Sequence, residues 1–464
     1  VTLSIRRICA ALRRIHSEDA GLSMAEVVVA LMVFAILATS VAYGLLNSLT
    51  LTQHSRARET ALALASQDLD AMRLRALNTK DGILQINSTA TPVTQVVGGT
   101  RFSLDRDVNW ADTTGALGAC GTGTGTLAFK SVVDTVSWQL AAGAPSQSVK
   151  MATSVAPIGN INTDTTGTII IAAIGSDGSP EPGLSVSISA VSGGAALATP
   201  PAATDSDGCS FGLKAQPGTY QVSVTRPGGI DIAQTDPSVN KSVVVKAGQN
   251  TMVNFSYDTA ATFALAYPAG AAVATNMTTT FYYPSSGASK FANAPTTVKA
   301  FPWQDGYQIM AGTYVPAVAG GPATCTDTNP SSWTTVAPDG AIGSPLDSQA
   351  VGAGQASVAP YPVVMGKVTV SGLSSSLYVT AVTSSTPAAG DPGCSATQTL
   401  TFPRSSGTSQ VIALPFGTWK LYYGSALGAK TIGVANLNVA LDPATRGSIS
   451  ASGVLIDARK VPTP

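Results

Sequence analysis

The chain has 464 residues, and its 26 Lys and Arg balance its 26 Asp and Glu, so the formal net charge at pH 7 is zero. Charged residues make up 11%, less than half the usual quarter, and the lysines are scattered, which excludes the basic stripe that nucleic-acid binding requires. A hydrophobic share of 44%, with β-branched and aromatic residues alternating with Ser and Thr, excludes general disorder and leaves room for several domains. At the N-terminus, Arg6, Arg7, Arg13 and Arg14 precede Gly21 with no apolar run among them. The stretch GLSMAEVVVALMVFAILATSVAYGLL then runs from Gly21 to Leu46 with Glu26 as its single charge. A secretory signal carries its apolar region ahead of the cut, whereas a cut at Gly21 leaves this one in the mature chain. About 20 residues rising about 1.5 Å each span a hydrocarbon core of about 30 Å. Val27 to Leu46 meets that length without a charge, and the upstream arginines place the N-terminus in the cytoplasm and the rest outside. Glu26, at the membrane edge with no basic neighbour in sequence, is costly unless it finds a partner. The alternatives are a carboxylate solvated by headgroups and, for the whole segment, a plain signal anchor.

Basic leader, glycine, glutamate and apolar helix, in that order, resemble the class III leader of type IV prepilins. The resemblance implies that residues 1–21 are a leader cut by a prepilin peptidase between Gly21 and Leu22. It further implies that Leu22 becomes the N-methylated N-terminus and that Glu26 pairs with the terminal amine of a neighbouring subunit. Beyond the membrane segment, Leu49, Leu51, Ala57, Ala61, Leu62, Leu64, Ala65, Leu69, Met72, Leu74 and Leu77 recur near helical spacing, interleaved with charges. No proline intervenes before Pro92, and Asn78 with Lys80-Asp81-Gly82 offers a stop. The spacing predicts one helix over 22–79, with 27–46 in lipid and an amphipathic half laid on a folded head. EVVVALMVFAIL and ALALASQDLDAMR (Ala61 to Arg73) are similar to the PilV-type minor pilins and their type II secretion relatives.

Residues 80–158 read as a small antiparallel sheet, with strand-like runs at Thr100 to Trp110, Leu127 to Leu140 and Gln147 to Pro157 between Gly/Thr-rich turns. Farther on, one phrase repeats as PGTYQVSV, AGTYVPAV and FGTWKLYY, its glycines Gly218, Gly312 and Gly417 standing 94 and 105 residues apart. A turn glycine followed by an aromatic and alternating apolar residues describes entry into a half-buried strand, and this spacing fits successive β-sandwiches. They are expected over 159–262, 263–365 and 366–464. The first, about Thr166 to Asp258, resembles Cna-B or carboxypeptidase-regulatory-like domains. The internal lysine–asparagine bond of some such domains is not expected, because Gly167 to Gly175 has no lysine and no glutamate follows Glu181.

Cys9 lies in the leader, which leaves Cys120, Cys209, Cys325 and Cys394, an even number that suggests two disulfides among three connectivities in an exported chain. The favoured pairing joins Cys120 to Cys209 and Cys325 to Cys394; the alternative leaves some free. No pair has metal-ligand spacing, so neither metal nor cofactor is expected. Catalysis has little to work with: His54 follows the membrane segment as a surface residue, and no nucleophile triad, HExxH or phosphate loop occurs. Asp205 to Gly208 and the run near Asp164 read as turns more readily than as calcium loops. Tyr282, Tyr283, Trp303, Tyr307 and Trp333 supply either core or an adhesive patch.

The expectation is an α+β, non-enzymatic minor pilin of a type IV pilus-like filament. Its partners are other pilins, the prepilin peptidase, the cytoplasmic membrane before assembly and a surface ligand of unknown identity. Its head lies outside the cytoplasm, and on the cell surface after assembly. The alternatives are a type II secretion pseudopilin and a membrane-anchored adhesin that does not polymerise.

Overall fold

A computed structural model describes residues 23–78, 82–122, 125–141, 143–159, 161, 163–316 and 324–461. The class is α+β, with one long N-terminal helix followed by sheets. Among the described residues, those up to Val108 together with Ser131–Val155 form one compact unit, and Asn109–Lys130 with those from Ala156 onward form a second. The 80–158 head expected from sequence therefore contributes Asn109–Lys130 to the second unit.

The first unit is built on α1, Met24–Asn78, a single helix of 55 residues. The strands that follow are β1 (Val93–Val97), β2 (Thr100–Asp112), β3 (Leu117–Gly118), β4 (Leu127–Trp138) and β5 (Gln147–Val155), arranged β1-β2-β4-β5 with β3 on β2; β3, the end of β2 from Asn109 and the start of β4 up to Lys130 belong to the second unit. β1 and β2 form a hairpin closed by Gly98 and Gly99, whose φ values of +57° and +82° suit a two-residue turn that side chains with a Cβ resist. Only the lower half of α1 packs. Ala57, Ala61, Ala65, Leu69, Met72 and Ala76 recur every three or four residues and are buried. They meet Phe102 of β2, Val132, Val136 and Trp138 of β4, and Val149 of β5. From Lys130 onward β4 alternates buried and half-buried positions, the two-residue period of a strand with one face against a core. Leu62, Leu74 and Leu77, expected on the packed stripe, are exposed. The stripe consists mostly of alanines because small side chains let helix and sheet approach closely.

In the second unit, β6 (Gly167–Ile174), β7 (Ser185–Ser192), β8 (Cys209–Ala215), β9 (Gly218–Thr225), β10 (Gly229–Asp231), β11 (Ser238–Val245) and β12 (Asn250–Thr259) form two sheets. Their orders are β10-β12-β6-β8 and β11-β9-β7, and β6 and β12 pair in parallel. Between them lies one core that includes Ile169, Ile171, Tyr220, Val222, Val224, Phe255 and Tyr257. β6 is a nearly continuous apolar run, GTIIIAAI, and its first five residues are buried, as befits a strand flanked on both edges and covered.

Past Ala260 the core does not divide at residue 365. Phe263, Phe281 and Trp333 share one apolar cluster with Val368, Phe402, Ile412 and Trp419. Ala272 bridges Ile412, and the Asn276 side chain donates to the Thr399 carbonyl and accepts from the Thr401 N–H. The stretches expected as sandwiches 263–365 and 366–464 thus share one interior. The repeated phrase behaves differently in its three copies. Gly218 and Gly417 open strands, Gly218–Thr225 and Gly417–Gly424. At Gly312 the strand Gln308–Ala311 has just ended. Pro316, four residues on, lacks the N–H that a continuing ladder needs.

Candidate functional site

The expected cleavage residues, Gly21 and Leu22, lie outside the described residues. Glu26 is described, and its role in this structure is local. The N–H and the hydroxyl of Ser23 each donate to Glu26 Oε2 at 3.0 Å, and the Glu26 N–H donates back to Ser23 Oγ at 3.2 Å. This reciprocal pair is a capping box, with Ser23 at the cap and Glu26 three residues in, where an anion also faces the positive end of the helix dipole. From Ser23 to Gln53 every residue of the segment is exposed around the whole circumference of α1, Val27, Leu31, Phe34, Leu37, Leu45 and Leu46 included. The helix is long and apolar enough to cross a membrane. Two hydroxyls inside the stretch are satisfied internally: Thr39 Oγ1 donates to the Ala35 carbonyl and Ser40 Oγ to the Ile36 carbonyl.

Where α1 reaches the sheet, charge is buried. Arg106 on β2 forms a fork to Asp68 of α1, its Nε donating at 2.7 Å and its Nη2 at 2.5 Å. The same Nε lies 3.8 Å from Asp134 of β4, a carboxyl with no exposed surface. Burial first, and Asp68 second, push the Asp134 carboxyl well above the ordinary carboxylate range, against the pull of Arg106. The fork to Asp68 ties helix to sheet. Sequence reading missed this group because nothing in KSVVDTVSW marks its aspartate as inward-facing except the two-residue alternation. His54 is half-buried, its Nδ1 2.9 Å from Gln147 Nε2.

The cysteines pair as Cys120–Cys209 and Cys325–Cys394. Beside the first, Lys130 lies 5.0 Å from the centre of the Trp110 ring, and burial lowers its ammonium to about 8 against the pull of Asp205 and Asp207. Asp205 is spent on its own turn, its Oδ1 accepting from the Asp207 and Cys209 N–H groups at 3.0 and 2.8 Å. Near the second disulfide, Cys325, Asp327 and Cys394 form the single cluster of three candidate ligand groups found among the described residues. Its two sulfurs are bonded to each other and offer no thiolate to a cation. The aromatics serve mainly as core: Tyr307 and Trp333 are buried, and half-buried Tyr283 and Trp303 stack at 4.3 Å.

No family model matches the chain, and no curated protein does. Among solved structures it is similar to the Bacillus anthracis TIE protein, at 10% identity and a TM-score of 0.18 over 74% of this chain and 70% of that one. A streptococcal ancillary pilin matches at 13% identity and TM-score 0.18, over 39% of this chain and 63% of its own. A variant of BcpA, the major pilin subunit of Bacillus cereus, matches at 12% identity and TM-score 0.19, over 57% of this chain and 92% of its own. At these TM-scores the likeness does not extend to the overall arrangement.

Proposed function

We propose that this chain is a minor pilin of a type IV pilus-like filament. Its upper helix sits in the membrane before assembly and packs among the helices of other pilins afterwards, and its large β-rich head is carried at the tip or sparsely along the fibre. The observation that carries this reading is the exposure of α1 from Ser23 to Gln53 on every face, continuous with a lower half docked on a sheet. A water-soluble head does not leave such a helix bare, so lipid or other helices must cover it. In this reading a prepilin peptidase cuts between Gly21 and Leu22, Leu22 is N-methylated, and Glu26 leaves its capping box to pair with a neighbour's amine. Intact-mass measurement of the cell-derived protein tests the cut: a mature chain starting at Leu22 supports it, and a retained leader rejects it. Loss of surface fibres from a deletion strain, seen by electron microscopy, separates a pilus from a type II secretion pseudopilus.

One observation favours a second reading, an anchored surface protein that never polymerises. Because Ser23 and Glu26 satisfy each other within one chain, the helix end needs no neighbour to be stable. Replacement of Glu26 by Ala, followed by measurement of incorporation into fibres, decides between the two. A pilin loses incorporation, whereas an anchor keeps its surface level.

A further inference from the structure

We propose that Cys325–Cys394 is a thiol-exchange site: an external thiolate attacks the sulfur of Cys394, and Asp327 supplies the proton to the departing sulfur of Cys325. The two cysteines differ in exposure. Cys325 is fully buried, while Cys394 is half-buried. Attack therefore falls on Cys394, and the leaving group is the inner sulfur. A carboxylate oxygen of Asp327 lies within 4.8 Å of both sulfurs, on a side chain that is itself 2% exposed. The amide of Gln398 donates to Cys325 Sγ at 2.6 Å and reaches Cys394 Sγ at 3.4 Å, so charge gathering on the leaving sulfur meets a donor already in place.

The step balances without an oxidant. The incoming thiolate forms a new S–S bond to Cys394 Sγ and the Sγ394–Sγ325 bond breaks. Its electron pair goes to Cys325 Sγ, which takes the Asp327 proton; the products are a mixed disulfide, a Cys325 thiol and an Asp327 carboxylate. Asp327 holds that proton because burial, with Asp391 second, pushes its carboxyl up to about 7. Asp391, on the loop before Cys394, is the titratable group facing it; Thr418 of the strand Gly417–Gly424 donates to Asp391 Oδ2 at 2.6 Å. Beyond Asp391, Asp457 and Arg459 pair with each other at 2.8 Å. No cation lies against Asp327 among the described residues to draw the proton away.

The other disulfide lacks this arrangement. Cys120 and Cys209 are both buried. Nothing there presents an outer sulfur for attack with an acid behind the inner one. The chain thus contains an internal control.

The test uses the full chain in detergent, exposed without oxygen to free cysteine, quenched with a maleimide and mapped by peptide mass spectrometry. The expected result is a cysteine adduct on Cys394, a maleimide on Cys325, and neither on Cys120 or Cys209. Divided by the thiolate concentration, the wild-type rate should fall about tenfold between pH 6 and pH 8, as the proton donor empties. D327N should lower the pH 6 rate by at least about tenfold and flatten that profile. A parallel arm with a cysteine-bearing peptide separates sources: reaction with free cysteine alone assigns the site to small thiols, and reaction with both extends it to protein thiols. An adduct on Cys325, equal labelling of the two disulfides, or a flat wild-type profile overturns the proposal. None of those three readings depends on the variant folding.

Discussion

The two halves of α1 solve opposite problems with one backbone. From Ser23 to Gln53 its side chains, many of them large and branched, are exposed on every face; from Ala57 to Ala76 the positions facing inward are mostly alanines. Bulk is useful where the surrounding medium is deformable, as lipid is, and obstructive where a rigid sheet must come close. The lesson is that apolarity alone does not say which face of a helix packs. Leu62, Leu74 and Leu77 of the lower half point away from the sheet while the alanines face it, so small residues decide where most of the contact occurs.

That contrast gives experiments of decreasing size, all on the full chain in detergent. Trp138→Ala removes the largest side chain facing the alanine stripe and is expected to destabilise the first unit by roughly 3–5 kcal/mol in denaturant titration. Ala61→Leu puts into the lower half the residue type that the upper half prefers. The extra volume at a position with no exposed surface is expected to cost about 1–3 kcal/mol in the same assay. Ser23→Ala breaks the reciprocal cap and should fray the first turn, at about 1 kcal/mol of helix stability, read by amide exchange at the helix start. Leu37→Ala, on the exposed half, should shift unfolding by no more than about 0.5 kcal/mol. A loss at Leu37 as large as that at Ala61 would erase the distinction between the halves.

Acidity probes the junction from another side. The folded Asp134 carboxyl binds its proton more tightly than the unfolded one, so its contribution is complete below the unfolded carboxylate range and is lost as pH rises through the higher folded value. Unfolding of the first unit should therefore become easier between mildly acidic and neutral pH. Asp134→Asn, which cannot ionise, should remove that part of the slope.

Much of this was readable in the residues. The helix, the strands over Thr100 to Trp110 and Leu127 to Leu140, and the first sandwich follow from periodicity and turn chemistry. β1 was missed because VTQVV follows Pro92 and is too short to show alternation. AGTYVPAV misled because its match to the other two copies outweighed Pro316. The common interior past Ala260 depends on pairings between distant segments, such as Ala272 with Ile412, that no local pattern records. At the helix start, serine three residues before glutamate ahead of an apolar run is itself a capping signature, and it reads Glu26 as a local group first. Asp134 and Asp327 look like ordinary strand and loop aspartates; only folding shows that both are enclosed.

The first sandwich ends beside where it begins. β6 and β12, its outermost strands in chain order, lie side by side and point the same way from Thr168 with Asn250 to Ile174 with Ser256. Tension applied at the two ends of this domain loads the bonds between those strands in shear. They must yield together instead of unzipping one by one, which is the geometry best suited to a link that is pulled lengthwise.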